Sequence, residues 1–337
     1  MKVSQLILVL ALTLIIFQIH KAHAGTGKSI QSYEQQLSAI EAELSLEALA
    51  DEEADEALDL KIDAALDTEP DFENKQGADT IESNLQTAAI NKVKDSGKWA
   101  FEFIYIDENG NENILSQYNV HQILKPASTQ KLFSGHLAFL EQSYPINNLA
   151  AMLHVSHNQM ADSALMSVAK NRGFTKNLLA NGVQILKSTY FELQDSDKYI
   201  PIDGSGLSYA NKVTPRLEID LLRRIYNDAG YSQFKKMLAH PSDQKCSYDT
   251  KKNQIGSKHK YHSTVGSRLN SLAGRLHAKT GTLKRTKALA GFVDGKNGKG
   301  VLIFSVIGDY LKTSTPIAFS KIQSLVSAHI KFVDENL

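Results

Sequence analysis

A serine three residues ahead of a lysine is the first feature of this chain that could do chemistry. Ser128 and Lys131 stand in "KPASTQKLFSG", where Pro126 precedes the predicted start of a helix. A serine hydroxyl is a poor nucleophile until a base removes its proton. Residues i and i+3 share one face of a helix, so the Lys131 amine can reach the Ser128 hydroxyl. The same S-x-x-K pattern also begins at Ser167, Ser242 and Ser257.

A second short motif, Ser156-His157-Asn158, follows within a region of helical pattern. The Asn158 amide can hold a peptide group of a substrate, and the Ser156 hydroxyl can relay a proton to a leaving amine. His157 stands between these two residues, but a lone histidine is usually structural or solvated, so it is not assigned to the site.

A third motif, Lys279-Thr280-Gly281 followed by Thr282, lies on a predicted strand. The Lys279 cation and the two threonine hydroxyls suit a substrate carboxylate. Gly281 allows a substrate backbone to lie close to the strand. Burial of Lys131 beside a second cation such as Lys279 would lower its pKa and leave it neutral, as a base must be.

Each motif also has an ordinary structural explanation. Ser128 can be a helix cap, Lys131 a solvated helix lysine, and the third motif a plain strand end. The three motifs gain weight from their order along the chain. Of the four S-x-x-K patterns, only the one at Ser128 begins a helix and precedes the other two motifs.

The elements that must position these residues can be read from the alternation and helical periodicity of the sequence. "KWAFEFIYIDENGNENILSQYN" predicts two strands joined at Asn-Gly, and residues 274–310 predict three consecutive strands. Helices are predicted from Ser128 to Glu141, through residues 147–173 and from Thr315 to Val333. The predicted class is α/β (α+β), with an antiparallel sheet assembled from both ends of the domain around an all-helical part.

The N-terminal segment predicts export. Lys2, the apolar run of residues 6–17 and "AHA" at residues 22–24 are typical of a signal peptide over residues 1–24, and an uncleaved anchor is the alternative. Residues 25–90 are interpreted as an acidic helical arm or linker, since residues 34–73 hold 15 acidic residues and one basic residue. Residues 91–337 are the predicted catalytic domain.

Composition narrows the partners of the mature protein. Outside the arm, the mature chain carries about 12 more basic than acidic residues, which suits anionic polymers of a cell envelope. A balance of acidic arm and basic body for solubility explains the charges equally well. The single cysteine, Cys246, excludes an internal disulfide and a cysteine-based metal site. No metal, organic cofactor or nucleic acid is predicted, and the arm is a candidate binding segment for a protein partner.

The ordered motifs resemble those of penicillin-binding proteins and serine β-lactamases. Together with "DGSGLSYANKVTP" (203–215) and "AKTGTLKRTKALAGFV", they identify the chain over residues 98–330 as similar to the low-molecular-mass class C penicillin-binding proteins. That resemblance implies a transpeptidase-like fold, with the site between a five-stranded sheet and the helical part. Only 24 residues separate Lys131 from Ser156, so the accessory domains inserted there in many relatives are absent.

The resemblance implies a periplasmic serine D-alanyl-D-alanine carboxypeptidase, or an endopeptidase, acting on peptidoglycan stem peptides. Ser128 would form the acyl-enzyme, and β-lactams would acylate the same serine. Two alternatives stay open. One is a serine β-lactamase, although neither Glu192 nor Glu218 has the E-x-x-L-N context of the class A deacylating glutamate. The other is a non-catalytic peptidoglycan-binding scaffold that uses the arm to hold a partner.

Overall fold

The structure is a computed structural model that describes residues 81–94, 96–241, 247–249, 254–260, 264–265 and 268–337. The predicted signal peptide and the predicted arm up to residue 80 lie outside the described residues. The helices are α1 (Ile81–Val93), α2 (Gln130–Leu140), α3 (Ile146–Val155), α4 (Asn158–Asn171), α5 (Leu178–Thr189), α6 (Pro215–Tyr226), α7 (Tyr231–Met237) and α8 (Thr315–Asn336). The strands are β1 (Lys98–Ile106), β2 (Glu112–Tyr118), β3 (Ser247–Asp249), β4 (Gln254–Lys260), β5 (Leu276–Leu283), β6 (Thr286–Asp294) and β7 (Val301–Asp309).

Five strands form one antiparallel sheet in the order β2-β1-β7-β6-β5, and β3 pairs with β4 in a separate hairpin. The predicted five-stranded antiparallel sheet is confirmed, and the structure shows that β1 pairs with β7. The Asn-Gly turn is also confirmed. The Asp107 carboxylate accepts the backbone N–H groups of Asn109 and Asn111, and Gly110 has a φ of +83°. That conformation favours glycine, which lets the chain reverse tightly.

The sheet separates two apolar layers, because successive strand residues point to opposite faces. On one face, Ile104 and Ile303 pack with the helical part around Leu132 and Phe133. On the other face, strand residues pack against α1 and α8. The main contributors there are Trp99, Phe103, Phe304, Leu325 and Ile330. The expected place of the site, between the helical part and the sheet, corresponds to the first of these two layers.

Residues 147–173 form the predicted helical region. Within it the chain breaks between α3 and α4, at Ser156 and His157. Ser156 adopts the left-handed conformation, with φ 61° and ψ 43°. No helix in the described ranges is both long and apolar enough to span a membrane.

Helix α1 crosses the domain boundary predicted at residue 91. Ala89 and Val93 are buried in the layer between the sheet and α8, and Lys321 of α8 donates to the Lys92 carbonyl at 2.8 Å. The packed part of the chain therefore includes residues that the sequence analysis assigned to the arm.

Candidate active site

The first motif lies where a short turn enters a helix. Ser128 belongs to the 3₁₀ turn Ala127–Thr129, which continues directly into α2. Lys131 points back toward it, and its Nζ lies 2.9 Å from Ser128 Oγ. The Ser128 side chain is only half-buried, whereas Lys131 is 0% exposed. The turn thus leaves the candidate nucleophile open to a ligand while it hides the candidate base.

The other S-x-x-K patterns do not share this arrangement. Ser167 lies on α4 with Lys170, which is exposed. Ser257 lies on strand β4 and not at the start of a helix. Ser242 lies outside the described residues.

The Lys131 amine has three oxygen neighbours. Besides Ser128 Oγ, it lies 2.8 Å from Asn158 Oδ1 and 2.5 Å from the Ser205 carbonyl oxygen. Burial lowers the pKa of Lys131 to about 7, against the opposing charges of Asp203 and Asp162. A neutral amine has two N–H donors and one lone pair. It can therefore donate to Asn158 and Ser205 and still accept the Ser128 proton.

The second motif occupies the break between α3 and α4. Ser156 ends α3, His157 caps α4 by accepting the Met160 backbone N–H at 3.3 Å, and Asn158 is the first residue of α4. This capping role agrees with leaving His157 out of the site. The break turns Ser156 and Asn158 in different directions, so that each contacts a different lysine.

Replacing Ser156 by glycine is expected to separate stability from activity. A left-handed non-glycine residue costs about 1–2 kcal/mol, so the glycine variant should unfold with a free energy higher by about 1 kcal/mol. Loss of the hydroxyl should slow acylation by penicillin about 100-fold, which is within the range of proton-transfer contributions. Denaturant unfolding and stopped-flow acylation measure the two effects.

Gln142→Gly is the matched control, because Gln142 is an exposed left-handed residue after α2. It should stabilise the fold without slowing acylation. Equal acylation by wild type and Ser156→Gly would show that the Ser156 hydroxyl takes no part in the reaction.

The third motif lies on β5, which is an edge strand of the five-stranded sheet. Lys279 is 0% exposed, and its Nζ donates to Ser156 Oγ at 2.8 Å and to the Thr280 carbonyl at 3.0 Å. Burial and then the charge of Lys131 hold the pKa of Lys279 well below its usual value. The charge of Lys131 thus lowers the pKa of Lys279, whereas burial is what lowers the pKa of Lys131.

The remaining residues of the third motif have different surroundings. Thr280 is buried and Thr282 is exposed. A Cβ on Gly281 would lie 2.8 Å from the Pro126 carbonyl oxygen and 3.2 Å from the Ala127 Cβ. A glycine is therefore needed here for the turn that carries Ser128 to pack against β5, a reason that the sequence analysis missed.

The segment that follows Asp203 was also given no role, yet it supplies a wall of the site. The Asp203 carboxylate accepts the backbone N–H groups of Ser205, Gly206 and Ser208 at 3.0, 2.6 and 2.8 Å. This Asx-type turn aims the Ser205 carbonyl at Lys131. Gly206 has a φ of +79°, and a Cβ there would lie 1.7 Å from the Ala127 carbonyl oxygen. The "DGSG" composition was the available signal, since Asp and Gly favour such turns.

The three motifs and the segment after Asp203 meet in a small polar centre. Ser128, Lys131, Asn158 and the Ser205 carbonyl form one hydrogen-bonded group, and Ser156, Lys279 and Thr280 form a second. Asp162 accepts the Gly204 N–H at 2.9 Å and so ties α4 to the segment after Asp203. Among the residues that the structure describes, no group of three or more His, Cys, Asp or Glu side chains is arranged to hold a metal ion.

Comparison with solved structures identifies the fold. The TLA-1 extended-spectrum β-lactamase is 14% identical, with a TM-score of 0.54 over 76% of this chain and 100% of that chain. A β-lactamase from Chitinophaga pinensis is 16% identical, with a TM-score of 0.51 over 74% and 99%. A class A β-lactamase from Bacteroides cellulosilyticus is 14% identical, with a TM-score of 0.50 over 76% and 99%. The chain thus has the serine β-lactamase and penicillin-binding-protein fold, as predicted.

Comparison of the sequence with families is more specific. No similar sequence is found among curated proteins. The family model for D-Ala-D-Ala carboxypeptidase 3 (S13) matches residues 137–327, which is more than half of the chain. The match contains the second and third motifs and the segment after Asp203, but it begins after Ser128 and Lys131. The place of the first motif beside the other two therefore comes from the geometry above. On the extent of that match, the chain belongs to the D-Ala-D-Ala carboxypeptidase 3 (S13) family of serine hydrolases.

Proposed function

We propose that this protein is an exported, periplasmic serine D-alanyl-D-alanine carboxypeptidase that cleaves peptidoglycan stem peptides through an acyl-enzyme on Ser128. The observation that carries the proposal is the buried Lys131 amine, 2.9 Å from a half-buried serine hydroxyl and with a pKa near neutrality. A base poised near the working pH is what an unactivated serine needs. The signal-peptide pattern of residues 1–24 supports export.

Acylation begins when neutral Lys131 accepts the Ser128 proton. The Ser128 oxygen then forms a bond to the carbonyl carbon of the penultimate D-alanine, and the carbonyl oxygen becomes an oxyanion. The C–N bond breaks, the terminal D-alanine leaves, and its nitrogen takes a proton from Ser156. Ser156 is replenished from Lys279, which donates to its Oγ. The proton that Lys131 gained then passes to Lys279, so that Lys131 is neutral and Lys279 charged again before hydrolysis.

The outer edge of β5 supports the binding of an extended peptide. In the described ranges that edge is bridged at Ala278, whose N–H donates to the Ala239 carbonyl at 2.8 Å. Outward backbone groups alternate along an antiparallel strand, so Thr280 and Thr282 share the outward direction of Ala278. A substrate backbone can pair there as an added strand. The Thr282 N–H is then a candidate donor to the oxyanion.

Asn158 and Lys279 provide the remaining substrate contacts. An ammonium or amine donor faces Asn158 Oδ1, which leaves the Nδ2 donors for a substrate carbonyl. Lys279, Thr280 and Thr282 lie at the end of the site where the terminal carboxylate of the substrate would sit. An arriving carboxylate favours the charged form of Lys279 and so offsets the effect of burial.

Release of the shortened peptide requires water. Lys131 takes a proton from the water, the hydroxide attacks the acyl carbonyl, and the proton returns to Ser128 as the ester bond breaks. We infer that none of the nearby carboxylates activates water for fast hydrolysis, since Asp162 accepts the Gly204 N–H at 2.9 Å. Asp203 is bound by three backbone N–H groups, and Glu192 is exposed. A penicilloyl-enzyme should therefore persist, which separates this proposal from the β-lactamase alternative.

The deciding experiment combines labelled penicillin with muropeptides. Purified mature protein should retain a stoichiometric penicilloyl adduct on the peptide that contains Ser128, and it should release D-alanine from a disaccharide-pentapeptide. Fast release of penicilloate would favour a β-lactamase, and no adduct would favour a non-catalytic scaffold. Mass analysis of cross-linked dimers in the same assay measures endopeptidase activity. The direct α2–α3 connection, with no inserted domain, favours access of such larger substrates.

Replacing Lys279 by alanine is expected to slow acylation by 10- to 100-fold, because a charge-assisted contact contributes about 1.5–3 kcal/mol. The second-order acylation constants for penicillin and for a peptide ending in D-Ala-D-Ala measure the effect. Lys284→Ala is the matched control, since Lys284 is exposed one residue beyond β5. Unchanged constants for Lys279→Ala with both substrates would exclude the carboxylate role.

A further inference from the structure

Glu218 is a fully buried carboxyl group that the proposed reaction does not use. It lies in the first turn of α6 and is 0% exposed. Its Oε1 lies 2.5 Å from Thr129 Oγ1, in the turn that carries Ser128, and its Oε2 accepts the Ser305 hydroxyl at 2.7 Å. Glu218 therefore connects the nucleophile turn to β7, although it lies 89 positions after Thr129 in the chain.

The count of protons around Thr129 determines the state of this carboxyl group. Thr129 Oγ1 also lies 2.8 Å from the Pro126 carbonyl oxygen, which can only accept a hydrogen bond. The Thr129 hydroxyl has one proton and cannot donate to both oxygens. A neutral Glu218 resolves the conflict, because Glu218 then donates to Thr129 and Thr129 donates to Pro126. An ionised Glu218 would accept the only hydrogen bond that the Thr129 hydroxyl can donate. The Pro126 carbonyl oxygen would then face the lone pairs of Thr129 Oγ1 without a proton between them.

The surroundings of Glu218 favour the neutral form. Burial raises its pKa to about 7, while the Thr129 and Ser305 hydroxyls act in the opposite direction. Other ionisable groups near it are accounted for. On β1, Glu102 pairs across the strands with Ser305 and forms an ion pair with Arg216 of α6 at 2.9 Å. The Tyr199 phenol is buried, with its pKa held well above the usual value. Arg216 thus forms its ion pair with Glu102 and not with Glu218.

The Pro126 carbonyl is a sensitive point of the site. It precedes Ala127, which has a φ of +48°, and it receives the Thr129 backbone N–H at 3.2 Å. The same oxygen closely approaches Gly281 on β5. A change in its hydrogen bonds would shift the turn between Lys131 and the strand. The position of Ser128 thus depends on a bond that Glu218 completes.

We propose that Glu218, as a neutral acid, is a positioning residue that locks the Pro126–Thr129 turn and holds Ser128 Oγ in line with Lys131. This inference rests on the proposed function, since it assigns Glu218 to the acylation of Ser128. Glu218 touches no substrate. Ionisation of Glu218 loosens the turn, so acylation declines as pH rises through the pKa of Glu218.

The test compares Glu218→Gln and Glu218→Ala across pH 5–9, with penicillin acylation of Ser128 as the readout. Glutamine keeps one donor for Thr129 and one acceptor for Ser305 and cannot ionise. It should acylate within about 3-fold of wild type at pH 6 and at least 10-fold faster than wild type at pH 9. The alanine variant should be at least 10-fold slower than glutamine throughout. At each pH, the acylation rate of the variant is divided by that of wild type. This ratio cancels any pH dependence that comes from the titration of Lys279.

Glu102→Gln is the matched control, because Glu102 is equally buried and burial also raises its pKa to about 7. Its pH profile should keep the wild-type alkaline decline. Identical alkaline limbs in Glu218→Gln and wild type would overturn the proposal, as would a glutamine variant as slow as alanine.

Infrared spectroscopy tests the protonation of Glu218 without using activity. The difference spectrum of wild type minus Glu218→Gln at pH 6 should show a buried carboxylic-acid band that Glu102→Gln retains, and this band should weaken as pH rises through 7. Absence of that band would overturn the inference whether or not Ser128 is acylated. Failure of the wild type to acylate, with the band present, would count against the proposed function alone.

Discussion

Replacing Ser128 by alanine is expected to abolish covalent labelling by penicillin and to reduce D-alanine release by about 10⁴-fold or more. The physical reason is that the acyl-enzyme has no oxygen on which to form, and removal of a nucleophile leaves only the contribution of substrate binding and oxyanion contacts. The side chain is half-buried and small, so the variant should unfold close to the wild-type temperature. Intact-protein mass and thermal unfolding measure the two effects.

Ser167→Ala is the control for this substitution, because Ser167 is the first residue of another S-x-x-K pattern in a described helix. It should label as wild type. A penicilloyl adduct on a different serine of the Ser128→Ala protein would disprove the assignment of the nucleophile.

Replacing Lys131 by methionine is expected to slow acylation by about 10³- to 10⁴-fold, since base and nucleophile act as a unit. Methionine fills a similar volume and avoids an unpaired buried charge, so the fold should be retained. The exposed Lys170, which completes the pattern at Ser167, provides the control Lys170→Ala. Acylation by Lys131→Met within 10-fold of wild type would mean that another group is the base.

Lys131 also predicts the acidic side of the pH profile. Its pKa is lowered from 10.5 to about 7, so the neutral, reactive amine is the minor form below that pH. The acylation rate should therefore rise about tenfold per pH unit up to about pH 7, where the decline attributed to Glu218 begins in wild type. In Glu218→Gln, which lacks that decline, the rate should continue to rise or level off beyond pH 7. A flat rate between pH 5 and 7 would contradict Lys131 as the base.

Local patterns in the sequence determined much of the architecture. The strands predicted within residues 98–119 and 274–310, the Asn-Gly turn, the helix after Pro126 and the helix from Thr315 all occur in the structure. Such elements depend on alternation, periodicity and turn residues over short distances. The break at Ser156 was not predicted, because serine carries no strong stop signal and the helical pattern continues on both sides.

The sequence by itself also determined the family resemblance and the order of the three motifs, and it nominated Ser128, Lys131, Ser156, Asn158 and Lys279. Only the tertiary structure decided how these groups are partnered. Asn158 and the Ser205 carbonyl surround Lys131 from 27 and 74 residues away, and Lys279 reaches Ser156 across 123 residues. Burial, which moves both lysine pKa values, is a property of the packed domain and not of spacing along the chain. For the same reason, the sequence shows Glu218 only as a glutamate without the E-x-x-L-N context, and the fold alone brings its carboxyl group to Thr129 in the turn that carries Ser128.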